Sequence, residues 1–168
     1  MIEVHSKLFV GDESDYSRIA GVENWAIVHA CKEPFHRQAV GYSGKAAPKG
    51  HPEYLIARRG NRLMMNIVDA ENPMFFDRIG LITPALDFVD EQRTSDRKVL
   101  IHCNEGHSRS PSLALLYLAM RLQAIPAETF NAAETAFMQL YSGYHPKAGI
   151  RGHIRANWEQ YRPTPKTP

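Results

Sequence analysis

Short apolar runs and helix-like stretches alternate along the chain. Strand patterns rich in β-branched and aromatic residues fall at Lys7 to Val10, Trp25 to Cys31, Leu63 to Val68 and Lys98 to His102. Between the last two, Phe75, Ile79, Ile82, Leu86 and Val89 recur at spacings of four, three, four and three, one face of a helix. Pro84 falls off that stripe and predicts a kink or a delayed start. Beyond the fourth run, Ser112 to Gln123 is apolar nearly all round, the pattern of a buried helix. Pro126 opens a further helix running to about Leu140, and a last one spans Ile150 to Tyr161. Such alternation is that of an α/β fold. The length of 168 residues suits a single domain, 1–161, that buries about two-thirds of its unfolded surface. Residues 162–168, rich in Pro and Thr, read as a flexible tail.

The chemistry concentrates where the fourth run ends. Val99-Leu100-Ile101 leads into His102-Cys103-Asn104-Glu105-Gly106-His107-Ser108-Arg109-Ser110, and Pro111-Ser112 opens the next helix. A strand turning into a helix N-terminus gathers backbone N–H groups around an anion. The stretch Asn104, Glu105, Gly106, His107 and Ser108 can wrap one phosphate with its amides, while Arg109 grips two phosphate oxygens with its planar fork. Helix N-termini and nearby cations favour a thiolate. Cys103 is therefore the candidate nucleophile and needs no dedicated base. Gly106 permits a backbone conformation that a side chain would oppose, Ser110 can hydrogen-bond the sulfur, and His102 orients the loop from behind.

Simpler readings compete with this one. A free cysteine is commonly a small core hydrophobe. The conjunction of a β-branched strand, a His-Cys pair, a glycine, an Arg-Ser pair and a helix start outweighs that reading. A metal site on His102, Cys103 and His107 lacks ligands, because structural zinc wants four and the one other cysteine, Cys31, is far away in sequence. Metals and other cofactors are not expected. The formal net charge of +2 is too small to argue for nucleic acid or a membrane surface. Two widely separated cysteines fit a reducing compartment, no stretch is apolar enough to span a bilayer, and Met1-Ile2-Glu3-Val4-His5 lacks a signal pattern. A cytoplasmic location follows as an expectation. No sequence feature sets an oligomeric state.

With His102, Cys103, Arg109 and Ser110 in view, the chain resembles the cysteine-dependent protein tyrosine phosphatase superfamily, in its dual-specificity branch. Its signature is His-Cys, five residues, then Arg-Ser or Arg-Thr. Leu8-Phe9-Val10-Gly11 looks like the family's opening strand and turn, and Ala85-Leu86-Asp87-Phe88-Val89 like the helix before the catalytic strand. The likeness runs from about Ile2 to Tyr161. It implies a central, mainly parallel sheet of four to five strands flanked by helices. It also implies a metal-independent reaction through a phosphocysteine intermediate, with an upstream aspartate as general acid. Asn66 to Pro73 follows a strand and should form a loop on the same sheet edge as the catalytic loop. Asp69, directly after the apolar run, ranks first for that role. Glu71 is its rival, because counting back from Cys103 it lies nearer the family's usual distance. Either carboxylate could instead cap the following helix. Asp87 belongs on a solvated helix face, and Asp77 lies too far into the helix.

The stretch from Lys32 to Arg62 exceeds the usual connection length. It carries Lys32, His36, Arg37, Lys45, Lys49, His51, Arg58, Arg59 and Arg62. A solvated basic face is the plainer reading, and substrate recognition, with Tyr42 and Tyr54 flanking an aromatic phospho-residue, the alternative. The substrate expected from the resemblance is a phosphorylated protein or peptide, on tyrosine and also on serine or threonine. Phosphoinositide and RNA 5′-phosphatases share the architecture but commonly carry basic residues inside the loop, where this chain has Asn104, Glu105, His107 and Ser108. Glu105 would repel a second anionic group. A non-catalytic phospho-binding module normally lacks the nucleophile or the arginine, and both are present here. Cys31, at the end of a strand expected beside the catalytic one, is either a buried strand residue or a redox partner that traps oxidised Cys103 as a disulfide, as its likeness to tensin-type lipid phosphatases suggests.

Overall fold

The chain's topology follows from one central strand. In the computed structural model, which describes residues 1–76 and 79–162, six strands form one sheet in the order β1-β2-β6-β3-β5-β4. These are β1 (Ile2–His5), β2 (Leu8–Gly11), β3 (Trp25–His29), β4 (Ile56–Arg59), β5 (Arg62–Met65) and β6 (Lys98–His102). The central four run parallel, whereas β1 and β4 close the two edges antiparallel. The sheet thus has the mainly parallel centre of the expected α/β fold and one to two more strands than the expected four to five. Both additions were hard to read from the pattern. β1 buries only Val4 and β4 ends in two exposed arginines, so neither shows a clean apolar alternation. Val28 and Ile101 occupy the register position of the fully buried middle, flanked by Val10 on β2. Hydrophobic burial on both faces of this parallel centre explains its near-continuous apolar sequence.

The helices are α1 (Glu13–Ile19), α2 (Arg37–Val40), α3 (Thr83–Thr94), α4 (Arg109–Met120), α5 (Phe130–Leu140) and α6 (Ala148–Ala156). Every residue of α4 is buried, as its all-round apolar pattern predicts. The helix expected from Phe75 onward differs from the stripe. Two short 3-10 turns, Pro73–Phe76 and Ile79–Leu81, precede a helix that starts only at Thr83. A proline ring opposes a helical carbonyl four residues earlier, so the helix cannot extend back through Pro84, which sits harmlessly in its first turn. Ile82, Leu86 and Val89 are buried as the stripe requires. The side chains of Phe75 and Ile79, with Asp77, lie outside the described residues, as do residues 163–168 of the expected tail. Further on, α5 begins four residues after Pro126 because Thr129 caps it, accepting a hydrogen bond from Ala132 N at 3.2 Å. The last predicted helix divides into α6 and a 3-10 turn at Trp158–Tyr161.

The basic stretch 32–62 is structured rather than an open loop. It forms an irregular turn at Lys32–His36, then α2 and β4. Three of its four arginines meet carboxylates: Arg37 with Glu33 at 2.6 Å, Arg59 with Glu53 at 2.5 Å and Arg58 with Glu91 of α3 at 2.5 Å. Tyr42 lies under the Arg37 guanidinium, 4.8 Å from it. These pairs fit the solvated face, since exposed ion pairs contribute little stability and leave the cations engaged. Asp87 is on such a face too, bonded to Arg121 at 2.6 Å.

Close packing at α6 fixes the chain after β5. Gly149 abuts the loop 66–72 so tightly that an added Cβ would overlap the Ala70 carbonyl oxygen and approach Phe76. Gly149→Ala is expected to lower the unfolding free energy by about 1–3 kcal/mol in chemical denaturation. Gly50→Ala, where a Cβ would meet nothing within 4 Å, is the control expected to leave it nearly unchanged.

Candidate active site

The C-terminal ends of β2, β3 and β6 lie level, with Gly11 and His29 in register with His102. Immediately beyond them the chain turns through residues 103–108 into α4. Glycine is required at the sharpest point: Gly106 has φ 74°, and a Cβ there would press on the Gly11 backbone at 3.2 Å. Cys103 sits at the base of this turn, 1% exposed. The Ser110 hydroxyl is 3.2 Å from its sulfur and 3.1 Å from the Gly11 carbonyl oxygen. One proton serves both acceptors, so the hydroxyl can turn to whichever is the stronger base.

Arg109 begins α4 and is 7% exposed. One terminal nitrogen donates to the Ile67 carbonyl at 3.4 Å and the other to Asn104 Oδ1 at 3.0 Å. Its Nε is buried and, among the described residues, has no hydrogen-bond partner. The Asn104 amide nitrogen in turn donates to Glu13 Oε2 and to the Glu33 carbonyl, both at 3.0 Å, tying the loop to α1 and to the turn after β3.

The two candidate acids are placed differently. Asp69 is 17% exposed, with Oδ2 3.9 Å from Arg109 Nε and Oδ1 accepting from the Ser108 hydroxyl at 2.7 Å. Glu71 is 71% exposed and points to Lys147 Nζ at 3.5 Å. Thus Asp69 joins Cys103, Arg109 and Ser110, and Glu71 does not. Of the remaining loop side chains, Glu105 and His107 face solvent.

The sequence model of the dual specificity phosphatase catalytic domain matches residues 51–138, a little over half of the chain and the part holding Asp69, Cys103 and Arg109. The chain belongs to that family. Dual specificity protein phosphatase 5 of Rattus norvegicus is 33% identical over 84 residues, which are 50% of this chain and 21% of the relative. Dual specificity protein phosphatase PHS1 of Arabidopsis thaliana is 28% identical over 93 residues, 49% of this chain and 10% of that protein. The chain therefore spans only about a fifth and a tenth of the length of these relatives. Among solved structures, the human tyrosine phosphatase-like serine/threonine/tyrosine-interacting protein superposes with a TM-score of 0.62 at 17% identity, covering 95% of each chain. Human DUSP28 gives 0.59 at 16% identity, covering 95% of this chain and 96% of that one. Both show the fold.

Several groups that build this candidate site were not legible in the sequence. The segment between α5 and α6 braces the loop through Tyr141 Oη donating to the Gly106 carbonyl at 2.9 Å and His145 N donating to the His107 carbonyl at 2.9 Å. A third contact runs from Lys147 N to the Ser108 hydroxyl oxygen at 3.1 Å. Two of the three donors are backbone amides, which no side-chain pattern reveals. His29 was overlooked too, although a polar residue inside the apolar run Trp25 to Ala30 is itself a signal, since buried polar groups need partners. Cys31 is a buried free thiol. It leaves the sheet beyond β3, and burial pushes its thiol up to about 12 against the opposing pull of Arg109.

Among the described residues, no group of three or more His, Cys, Asp or Glu side chains is placed to hold a metal ion, and no helix is long and apolar enough to cross a membrane. The brace is directly testable. Tyr141→Phe leaves the buried Gly106 carbonyl without its donor and is expected to cost about 1–3 kcal/mol of stability, read as a lower denaturant midpoint at unchanged slope.

Proposed function

We propose that residues 1–161 form a single catalytic domain that hydrolyses phosphate monoesters, foremost phosphotyrosine and also phosphoserine or phosphothreonine in proteins. The observation that carries this reading is the buried Nε of Arg109, 3.9 Å from the Asp69 carboxylate but without a hydrogen bond among the described residues, in a loop that also holds the Cys103 thiol. A buried donor without an acceptor costs free energy, and a phosphate oxygen is an acceptor it would take. Membership of the family and its protein phosphatase relatives support the same conclusion.

In the first step the Cys103 sulfur attacks phosphorus in line. The S–P bond forms, the ester P–O bond breaks, and the leaving oxygen takes a proton from Asp69. Arg109 and the amides of Asn104 to Ser108 hold the equatorial oxygens, where charge accumulates. In the second step water attacks the phosphocysteine and gives its proton to Asp69. The S–P bond breaks, and the Ser110 hydroxyl turns from the Gly11 carbonyl to the departing thiolate. No metal enters this sequence. His102 supports the loop, and the chemistry of the two free thiols suits a reducing compartment such as the cytoplasm.

A phosphoinositide or RNA 5′-phosphate is disfavoured by Glu105 at the mouth of the loop, whose charge opposes a second anionic group. We assign Cys31 to the core rather than to a resolving role. Exchange proceeds through a thiolate, and burial holds Cys31 in its neutral form.

Two experiments test the reading. Hydrolysis of para-nitrophenyl phosphate in the presence of a chelator should persist in the parent, disappear in Cys103→Ser and fall by more than about tenfold in Arg109→Lys, which keeps charge but loses the fork. Activity surviving Cys103→Ser would remove the nucleophile assignment. Asp69→Asn should slow turnover by roughly 10²–10⁴-fold with a tyrosyl leaving group and much less with one that departs unprotonated. Glu71→Gln should show no such dependence, and the reverse pattern would transfer the acid role to Glu71.

A further inference from the structure

His102 is fully buried, and its Nδ1 lies 3.3 Å from the Cys103 carbonyl oxygen. A carbonyl only accepts, so Nδ1 carries the proton. A neutral imidazole has one N–H, which leaves His102 Nε2 as a bare acceptor. Facing it at 2.6 Å is Nδ1 of His29, which must then be the donor. Both rings are neutral in this arrangement, and the surroundings favour that form. Burial pulls His29 down to about 2, reinforced by His102 and Arg62. Burial likewise pulls His102 down to about 4, with Arg109 adding to it and the Cys103 carbonyl, Asp12 and Asp15 opposing it.

The pair is also sterically fixed. Adjacent strands hold the two residues in register on one face of the sheet. His102 stacks on Tyr16 of α1 at 5.0 Å and 3°, and His29 stacks on Phe35 at 4.2 Å and 20°. Each imidazole is therefore packed against an aromatic ring as well as against the other imidazole. The direction of the chain of donors therefore sets the tautomer of His102 and, through it, the orientation of the Cys103 carbonyl. In a trans peptide the C=O and the following N–H point opposite ways. Holding the Cys103 carbonyl against the imidazole turns the Asn104 N–H away from it, as an inward-facing anion cradle requires.

We propose that His29 is a positioning residue for the reaction at Cys103, donating Nδ1–H to His102 so that His102 donates to the Cys103 carbonyl and locks the first peptide of the loop. This rests on the proposed phosphatase function, but the arrangement can be read without turnover. Histidine-selective ¹⁵N NMR of the parent should show both rings neutral near pH 7, each protonated at Nδ1. In kinetics, His29→Leu should lower kcat by about tenfold or more with little change in KM, since the buried acceptor of His102 loses its donor. His29→Asn, whose amide nitrogen offers a donor at similar reach, should recover most of that loss. Detection of His102 as the Nε2–H tautomer would overturn the proposal whether or not the Leu variant folds. So would an equal loss of kcat in the Asn and Leu variants when both retain the parent's fold. A parent that shows these tautomers yet hydrolyses no phosphate ester would instead overturn the phosphatase reading and leave the hydrogen-bond chain intact.

Discussion

Burying a guanidinium is costly unless its donors meet oriented acceptors, and the site is organised around where those acceptors come from. Arg109 is held by a carbonyl from the loop after β5 and by a side chain from its own loop. Asn104, the second of these, is anchored to α1 and to the turn after β3. Four segments distant in sequence therefore converge on one cation. Nε, the guanidinium nitrogen that makes no hydrogen bond among the described residues, is available to a ligand. A sheet with parallel strands β2, β6 and β3 makes this convergence possible, because their ends and the loops that leave them share one edge.

How much of this could be read from the chain depended on locality. Cys103, Arg109 and Ser110 lie within eight positions, and their residue types constrain one another, so their grouping was visible. The position of Asp69 beside Arg109 could be anticipated from its place after an apolar run, although spacing alone favoured Glu71, which the structure turns outward to Lys147. The edge strands escaped because an edge buries one face poorly. Ile2–His5 contributes a single buried residue, too few for periodicity to register. The 3-10 turns before α3 escaped because apolar spacing reports which residues are buried and not how the backbone reaches them. Pro84 signalled the boundary correctly, but only as one of two outcomes.

The imidazole pair behind the loop is a different kind of constraint. Most of the loop's contacts position atoms by filling space or by reaching across to another segment. His29 and His102 position them by proton count, since each ring has one N–H and the carbonyl at the end decides where every proton must sit. Burial favours the neutral form of both rings.

The brace between α5 and α6 has a consequence for how the sequence can change over time. His145 and Lys147 hold the loop through main-chain N–H groups while their side chains face solvent. Selection acting on the loop's shape therefore places almost no demand on side-chain identity at these two positions, proline excepted, which would remove the donor. Substitutions there can alter charge and bulk beside the opening of the loop while leaving the main-chain hydrogen bonds that hold it in place. The segment is thus a place where new recognition can evolve at little structural cost.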